Sequence, residues 1–326
     1  MTWLLLLCAP LLQLGYDSRL VPPAVPSGRP AAPPLYLTIV VHNEEVNPRQ
    51  PNWLDKDIYF RNRDLVRRLA LTIKSKSAML NFQSDWTFLR AVAEYDKAGV
   101  IENTGGKNII RWMVEDLGFE ADPHAHETKY NYADIAYLHT QLGVTPSSNV
   151  GGFMFLPPDN PQGWEQHENG VKGRVYPDAF WKADVLWGAA TGLHRGADER
   201  RHGVWKPKDR SNFYEHDPAR RLIYIGGNCF NWAGMPNAGV EAIHKTVAAI
   251  AGGQAPADGY YTANSFIAQR SLSDELIAKV AADLDGLAPL VKEGKIVWSS
   301  LTATARRWRN EYQGKPFQFP CIAEAK

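Results

Sequence analysis

Two pairs of possible metal ligands stand at the ends of apolar, strand-like segments of this 326-residue sequence. One segment ends in His124 and His126, and an earlier one, beginning at Leu35, ends in His42 and Glu44. Residues two apart on a strand point to the same side of a sheet, so each pair offers two ligand atoms to one ion. A single pair is more typical of surface or hydrogen-bonded histidines. Two pairs at strand ends, where α/β folds assemble their sites, predict a metal centre built from these four residues.

Hydrolysis is the chemistry that such a centre supports. A divalent ion, zinc above all, lowers the pKa of a bound water to about 7. A nearby carboxylate must then take a proton from that water and pass it to the leaving group. Glu45, Asp85 and Glu127 are the candidates for this catalytic role; each has the alternative of an ordinary exposed carboxylate, and Glu127 that of a helix N-terminal residue.

A later loop supplies candidates for substrate contact. Lys206, Asp209 and Arg210 lie in a polar stretch that is otherwise read as a solvated loop. The net charge of +1 gives no basic footprint for nucleic acid, which we do not expect as a partner. The sequence has 11 Trp and 13 Tyr, and such rings can floor sugar-binding clefts, although most belong to cores.

The amino-terminal segments predict export. Residues 1–20 hold an apolar run of signal-peptide length that is too short to span a membrane and lacks the basic start of a typical signal. Residues 21–34 are rich in Pro and read as a linker. We therefore expect a secreted or periplasmic protein without a membrane span. Cys229 and Cys321 of the mature chain pair as a disulfide or remain buried thiols; the sequence leaves both open.

Strand and helix patterns alternate from residue 35 onward. The predicted strands are 35–41, 78–82, the segment before 124, 150–156, 185–190, 222–225, 260–266 and 296–299. The predicted helices are 64–75, 86–97, 107–117, 132–142, 239–251, 273–292 and 302–312. This alternation is typical of parallel strands with crossover helices, so residues 35–326 are predicted to form one catalytic α/β barrel, incomplete or distorted, with an insertion near 157–184.

The order of these features resembles the polysaccharide deacetylase superfamily over nearly the whole mature chain. The resemblance rests on an acidic cluster after the first strand, on His124 and His126 followed by the helix Ala-Asp-Ile-Ala-Tyr-Leu, and on a closing helix containing Trp308. It implies an irregular (β/α)7 barrel and a divalent metal, usually zinc, that serves to remove acetyl groups from N-acetylated sugars. A metal-dependent carbohydrate deacetylase is the resulting prediction.

The literal motifs differ from those of the family. Its Thr-Phe-Asp-Asp corresponds here to residues 42–45, His-Asn-Glu-Glu, and its His-x-x-x-His corresponds to His124-x-His126. The family's Arg-Pro-rich turn resembles residues 205–209, Trp-Lys-Pro-Lys-Asp. The family's late Leu-x-His motif has no clear counterpart in this sequence. Two alternatives follow: a glycoside hydrolase or other hydrolase on the same barrel, or a non-catalytic carbohydrate-binding barrel.

Overall fold

The computed structural model describes residues 32–44, 53–125, 129–153, 162–188, 201–209, 211–231 and 240–321. Within these ranges the strands are β1 (Leu35–Asn43), β2 (Leu80–Ser84), β3 (Glu120–Pro123), β4 (Asn149–Phe153), β5 (Val171–Lys172), β6 (Phe180–Trp181), β7 (Val185–Gly188), β8 (Arg201–Trp205), β9 (Ile223–Ile225), β10 (Phe230–Asn231), β11 (Tyr261–Ala268), β12 (Ile296–Trp298) and β13 (Phe317–Pro320). The helices are α1 (Lys56–Ser75), α2 (Trp86–Tyr95), α3 (Ile109–Glu115), α4 (Tyr132–Gln141), α5 (Gln162–Asn169), α6 (Val240–Ala251), α7 (Asp274–Lys292) and α8 (Leu301–Asn310).

β1 is the centre of the larger sheet. It pairs in parallel with β11 along its length, with β12 at its start and with β2 at its end, and β10 and β3 lie at the outer edges. Every residue of β1 is buried, as expected for a parallel strand covered on both faces. Val40 and His42 share one face because they are two residues apart. The main core lies on the other face, with Ile39 and Val41 among the side chains of the surrounding helices.

A second sheet adjoins the first at two seams. Its order is β13-β8-β9-β7-β4, with β4, β7 and β9 parallel and with β8 and β13 antiparallel to their neighbours. At one seam His124 forms a parallel bridge with Gly151 of β4. At the other, the backbone N–H of Asn264 in β11 donates to the carbonyl of Gly227, at 2.8 Å. The result is an irregular α/β arrangement of barrel type, with a parallel central sheet and helices, which confirms the predicted fold class.

Side-chain caps fix where the helices begin. The capping side chains that accept from backbone N–H groups of the first turn are Asp55, Asp85, Asn108, Asn131, Ser273 and Ser300. A cap of this kind contributes about 1 kcal/mol, because it satisfies a donor that the helix leaves without a partner. The cap at Asp55 explains why α1 begins at Lys56, eight residues before the predicted start at 64.

Asp134 ties α4 to the segment that follows α5. One carboxylate oxygen accepts from the backbone N–H groups of Val175 and Tyr176, each at 2.9 Å. The other accepts from the N–H groups of Asn131, at 2.9 Å, and Arg174, at 3.0 Å. The side chain is fully buried, so these four donors depend on it.

A pair of carboxylates occupies the amino-terminal end of the barrel. Glu120 and Asp122 share the amide donors of two neighbouring strands: Asn81 Nδ2 lies 2.6 Å from Asp122 and 3.3 Å from Glu120, and Asn149 Nδ2 lies 3.0 and 3.3 Å away. Glu120 also accepts from the backbone N–H of Thr302 in the first turn of α8, at 3.3 Å. Burial raises the pKa of both carboxyls, and the charge of Asp122 raises that of Glu120 further.

Cys229 and Cys321 form a disulfide, with their Cα atoms 5.8 Å apart. This settles the alternative that the sequence left open. The bond joins the residue before β10 to the residue after β13, and both cysteines are buried.

The predicted elements recur in the structure with shifted ends. β2 starts and ends two residues later than predicted, and α3 is shorter by two residues at each end. β8 and β13, which pair with each other, were not predicted. No helix of the described ranges is long and apolar enough to cross a membrane. The proposed signal and most of the linker lie outside those ranges, and the insertion near 157–184, which includes α5, β5 and β6, stays a prediction.

Candidate metal centre

Three of the four predicted metal ligands lie together at the carboxyl ends of the parallel strands. His42 is near the end of β1, Glu44 follows that strand, and His124 follows β3. One ligand atom from each residue lies within 4.8 Å of the others. His42 and His124 are buried, whereas the Glu44 side chain is 19% exposed. The cluster is therefore largely enclosed and reachable from the Glu44 side.

His124 is held at both ring nitrogens. Nδ1 lies 2.8 Å from the carbonyl oxygen of Gly151, and Nε2 lies 2.7 Å from Oε2 of Glu44. A carbonyl oxygen only accepts, so Nδ1 carries the proton and donates it. Nε2 is thereby directed toward the carboxylate and the other ligand atoms. This is the arrangement in which a backbone carbonyl orients a histidine ligand for a metal ion.

The ring of His42 is fixed by aromatic neighbours. Its centroid lies 4.2 Å from that of His124, 4.7 Å from that of Phe266 and 5.2 Å from that of Trp187, the last two with edge-on geometry. Trp187 is only 1% exposed, so its ring packs in the barrel wall rather than flooring an open cleft. The aromatic side chains make one side of the cluster apolar.

The donor set fits a divalent ion. Two imidazoles and one carboxylate are a ligand set of zinc hydrolases, in which a fourth position is left for water or substrate. The short contact between His124 and Glu44 also needs a proton shared between Nε2 and Oε2, and a cation would replace that proton with its own charge. His42, Glu44 and His124 are the residues that would hold the ion.

Asp85 is placed as a helix cap. Its carboxylate accepts from Thr87 Oγ1 at 2.8 and 2.9 Å and from the N–H of Phe88 at 3.1 Å, and the residue is 3% exposed. It directly follows β2, and its own N–H donates to the carbonyl of Asn43 in β1. Asp85 thus stands beside the strand that carries His42, although it is not a member of the three-residue cluster.

The predicted substrate-contact residues lie elsewhere. Lys206 follows β8, and its ammonium group donates to the carbonyl of Pro218 at 3.1 Å. Asp209 accepts from the backbone N–H of Asn212 at 2.8 Å. This loop leads into the amino-terminal end of β9, whereas the cluster is at carboxyl ends of the parallel strands. The described contacts do not join the two regions.

Four predicted site residues lie outside the described ranges: Glu45, His126, Glu127 and Arg210. Their roles stay predictions.

Sequence reasoning missed the contribution of Gly151 and of the aromatic wall around His42. A glycine inside a strand often marks a close approach of another backbone, and the Gly-Gly pair of β4 was that signal. An added Cβ at Gly151 would lie 2.8 Å from the carbonyl oxygen of Pro123, which shows how closely β4 approaches β3.

Comparisons with known proteins support the fold. No family model matches the sequence, and no curated protein matches it. A solved structure from Parabacteroides distasonis, named as a glycoside hydrolase/deacetylase, is similar with a TM-score of 0.53 and 10% identity over 87% of this chain and 73% of that one. A structure from Pseudomonas aeruginosa PAO1, named as a probable polysaccharide deacetylase, gives a TM-score of 0.51 and 13% identity over 86% of this chain and 92% of that one.

A third structure, 4-alpha-glucanotransferase from Thermococcus litoralis, has a TM-score of 0.48 and 9% identity over 88% of this chain. This chain spans 40% of that enzyme's length. The similarity to the Pseudomonas aeruginosa structure shows a polysaccharide deacetylase-like fold.

Proposed function

We propose that this protein is a metal-dependent hydrolase that removes acyl groups, most simply acetyl groups, from a carbohydrate. The observation that carries the proposal is the cluster of His42, Glu44 and His124, whose ligand atoms lie within 4.8 Å at the carboxyl ends of the strands. In barrel enzymes this end carries the active site. The fold shared with a polysaccharide deacetylase supports a carbohydrate as the substrate class.

The protein groups have separable roles in this reaction. A bound divalent ion, which we take to be zinc, supplies a Lewis acid that lowers the pKa of water and polarises an acyl carbonyl. Gly151 fixes the tautomer of His124 by accepting its Nδ1 proton. The rings of Trp187 and Phe266 keep His42 in place and restrict water on that side of the cluster.

A carboxylate must move the proton from water to the leaving group. Asp85 is the described candidate, because it stands directly after β2, next to β1. Its hydrogen bonds to Thr87 and Phe88 hold the carboxylate in one orientation. Glu45 and Glu127 remain candidates from the sequence, each adjacent to a predicted ligand.

Metal content is the first test. The purified protein should carry about one divalent ion per chain, and His42→Ala, Glu44→Ala and His124→Ala should each remove it. Because His42 and His124 are buried, circular dichroism of each variant checks that it still folds. His126→Ala tests the fourth predicted ligand in the same way. His244→Ala is the matched control, because that histidine lies on α6, outside the cluster. Full metal occupancy in all the cluster variants would overturn the site.

Acetate release is the second test. N-acetylated and O-acetylated oligosaccharides should yield acetate with the metal-loaded protein, and the Glu44→Ala variant should be inactive. Asp85→Asn, Glu45→Gln and Glu127→Gln should all retain metal, and the variant that lacks the base should lose roughly 100-fold or more in turnover. The amide at residue 85 still caps α2, so a loss there reports on proton transfer.

The same assays separate the alternatives. Metal without acetate release, but with cleavage of glycosidic bonds, would replace deacetylation by glycoside hydrolysis. Sugar binding without metal would leave a carbohydrate-binding barrel.

We also propose that the mature chain resides outside the cytoplasm. The buried disulfide supports this, since disulfides persist in oxidising compartments. Amino-terminal sequencing of the protein from its native host should find a start between residues 15 and 35. An intact Met1 would contradict export.

A further inference from the structure

A second group of metal-ligand side chains lies apart from the candidate centre. His202 in β8 faces the disulfide between Cys229 and Cys321, and ligand atoms of the three residues lie within 4.8 Å of one another. All three are buried, with exposures of 0%, 1% and 5%. Nothing in the proposed hydrolysis uses this group.

A backbone carbonyl holds the ring of His202 beside the disulfide. Nδ1 lies 2.8 Å from the backbone carbonyl of Thr262, so Nδ1 carries the proton and donates it. Sγ of Cys229 lies 3.8 Å from Nδ1 and 3.7 Å from Nε2, so the sulfur is beside the ring and must shift toward Nε2 when the disulfide opens. With Nδ1 engaged by the carbonyl, Nε2 is the ring nitrogen that can bind an ion. A carbonyl-oriented neutral imidazole is the common form of a histidine ligand.

We propose that His202, Cys229 and Cys321 form a second metal site, selective for zinc, when the disulfide is reduced. Two thiolates and an imidazole are soft and borderline donors that favour zinc over magnesium or calcium. On a tetrahedral zinc, a sulfur and a nitrogen ligand stand roughly 3.5 Å apart, close to the separation that His202 and Cys229 already have. Breaking the S–S bond frees the sulfurs to take up the roughly 3.8 Å spacing of two thiolates on one ion.

The chemical steps balance with an external thiol or phosphine reductant. The reductant supplies two electrons, the S–S bond breaks, and two protons from solvent complete the thiols of Cys229 and Cys321. Zinc then binds the two sulfurs and His202 Nε2, and two protons are released as the thiols become thiolates. An external disulfide can take back the two electrons, which re-forms the Cys229–Cys321 bond, removes both sulfur ligands and releases the ion.

The proposed zinc site would fix the end of β13 in place of the disulfide. Cys321 directly follows β13, which pairs only with β8 within the described sheet, so the cysteine is what fixes the end of β13 to the residue before β10. A zinc ion shared by Cys321, Cys229 and His202 would make the same connection in a reducing environment. The end of β13 would then be cross-linked by the disulfide in the oxidised protein and by zinc in the reduced protein.

Zinc stoichiometry in the two redox states tests the proposal. The full-length protein, oxidised or reduced with a phosphine, is mixed with Zn²⁺, freed of excess metal and analysed. The reduced form should hold one more zinc per chain than the oxidised form. The double variant Cys229→Ser with Cys321→Ser should show no such difference, and His202→Gln should weaken the additional site by roughly 100-fold. His139→Gln is the matched control, since His139 is also buried and bonded to a backbone carbonyl but faces no sulfur.

The additional zinc is distinguishable from the candidate catalytic ion. His124→Ala should lower the content of the oxidised form and leave the increase on reduction unchanged. If the proposed function fails and this inference holds, the oxidised protein should carry no zinc and the reduced protein should carry one zinc per chain. If this inference fails, the oxidised and reduced forms should carry the same amount of zinc per chain.

Cobalt provides a test that needs no variant. Reduced wild-type protein with Co²⁺ should show a thiolate-to-cobalt charge-transfer band, which oxidised protein lacks. Absence of that band, or reduced protein that unfolds equally with and without zinc, overturns the proposal.

Discussion

The replacement Gly151→Ala tests how the barrel positions His124. Gly151 has an ordinary extended backbone, so alanine is not excluded by conformation. Its Cβ, however, would lie 2.8 Å from the carbonyl oxygen of Pro123 and 2.9 Å from Cβ of Gln83, where ordinary contact begins at 3.4 Å. Both atoms belong to neighbouring strands, β3 and β2, so β4 must move away by about 0.5 Å, as expected when a packed interior is overfilled.

The expected cost is that of overpacking, about 1 to 3 kcal/mol. With an unfolding entropy of about 2.1 cal/mol/K per residue, this lowers the melting temperature of a chain of this size by roughly 2 to 5 °C. The same displacement moves the carbonyl that accepts from His124 Nδ1, at 2.8 Å. Loss of such an orienting partner weakens metal affinity by about 10- to 100-fold.

Gly286→Ala is the control for both readouts. Gly286 is an exposed residue of α7, and an added Cβ would meet only Val240 at 3.4 Å. Alanine in a helix should stabilise the protein by about 0.5 to 1 kcal/mol and leave metal affinity unchanged. Thermal melts and competition with a chromophoric chelator measure both quantities. Wild-type melting and wild-type affinity in Gly151→Ala would refute the reasoning, and destabilisation without loss of affinity would show that the carbonyl does not orient His124 for metal.

Three further outcomes follow from buried polar groups. The pKa values of Glu120 and Asp122 are raised in the folded state, so the stabilisation that they give at low pH is lost as pH rises above the ordinary carboxyl range near 4. Urea unfolding at a series of pH values should show this fall in the free energy of unfolding. The same dependence on pH in Glu120→Gln would contradict the prediction. Asp134→Ala leaves buried backbone donors without their acceptor and should cost about 3 kcal/mol or more, measured by the same denaturation, whereas a loss below 1 kcal/mol would show that water replaces the carboxylate. His139 has a pKa lowered by burial to about 4, so stability should fall by up to about 3 kcal/mol between pH 6.5 and 4, and His139→Leu should flatten that part of the profile.

Much of the barrel could be predicted because local signals agreed with the global fold. The continuous apolar run of β1 and the cap residues before α2, α4 and α7 indicate buried parallel strands and helix starts without any knowledge of neighbours. β8 and β13 carry a weaker signal. They pair with each other across more than a hundred residues, and β13 is short and only partly buried, so its hydrophobic alternation is faint.

The sequence predicted the site residues that stand at strand ends. It did not predict the groups that join the site only through tertiary contacts. His42, Glu44 and His124 stand where the period of a strand and the edge of a sheet place them. The carbonyl of Gly151 and the rings of Trp187 and Phe266 become part of the site only through the seam between the sheets, which depends on tertiary packing. Asp85 shows the limit in the other direction, because a carboxylate after a strand has the same sequence signal whether it caps a helix or moves a proton.

The position of β1 between strands from the far end of the chain has a consequence for synthesis. Thr38 donates through Oγ1 to the carbonyl of Ser299, 261 residues later, and β11 and β12 flank the same strand. At roughly 5 to 20 residues per second, a ribosome needs on the order of 13 to 52 seconds to supply those partners. For that time β1, every residue of which is buried in the folded protein, has an open edge, and open strand edges allow chains to associate with one another. The nascent chain is therefore expected to depend on a chaperone, and its yield in a foreign host should rise when a chaperone that binds nascent chains is co-expressed.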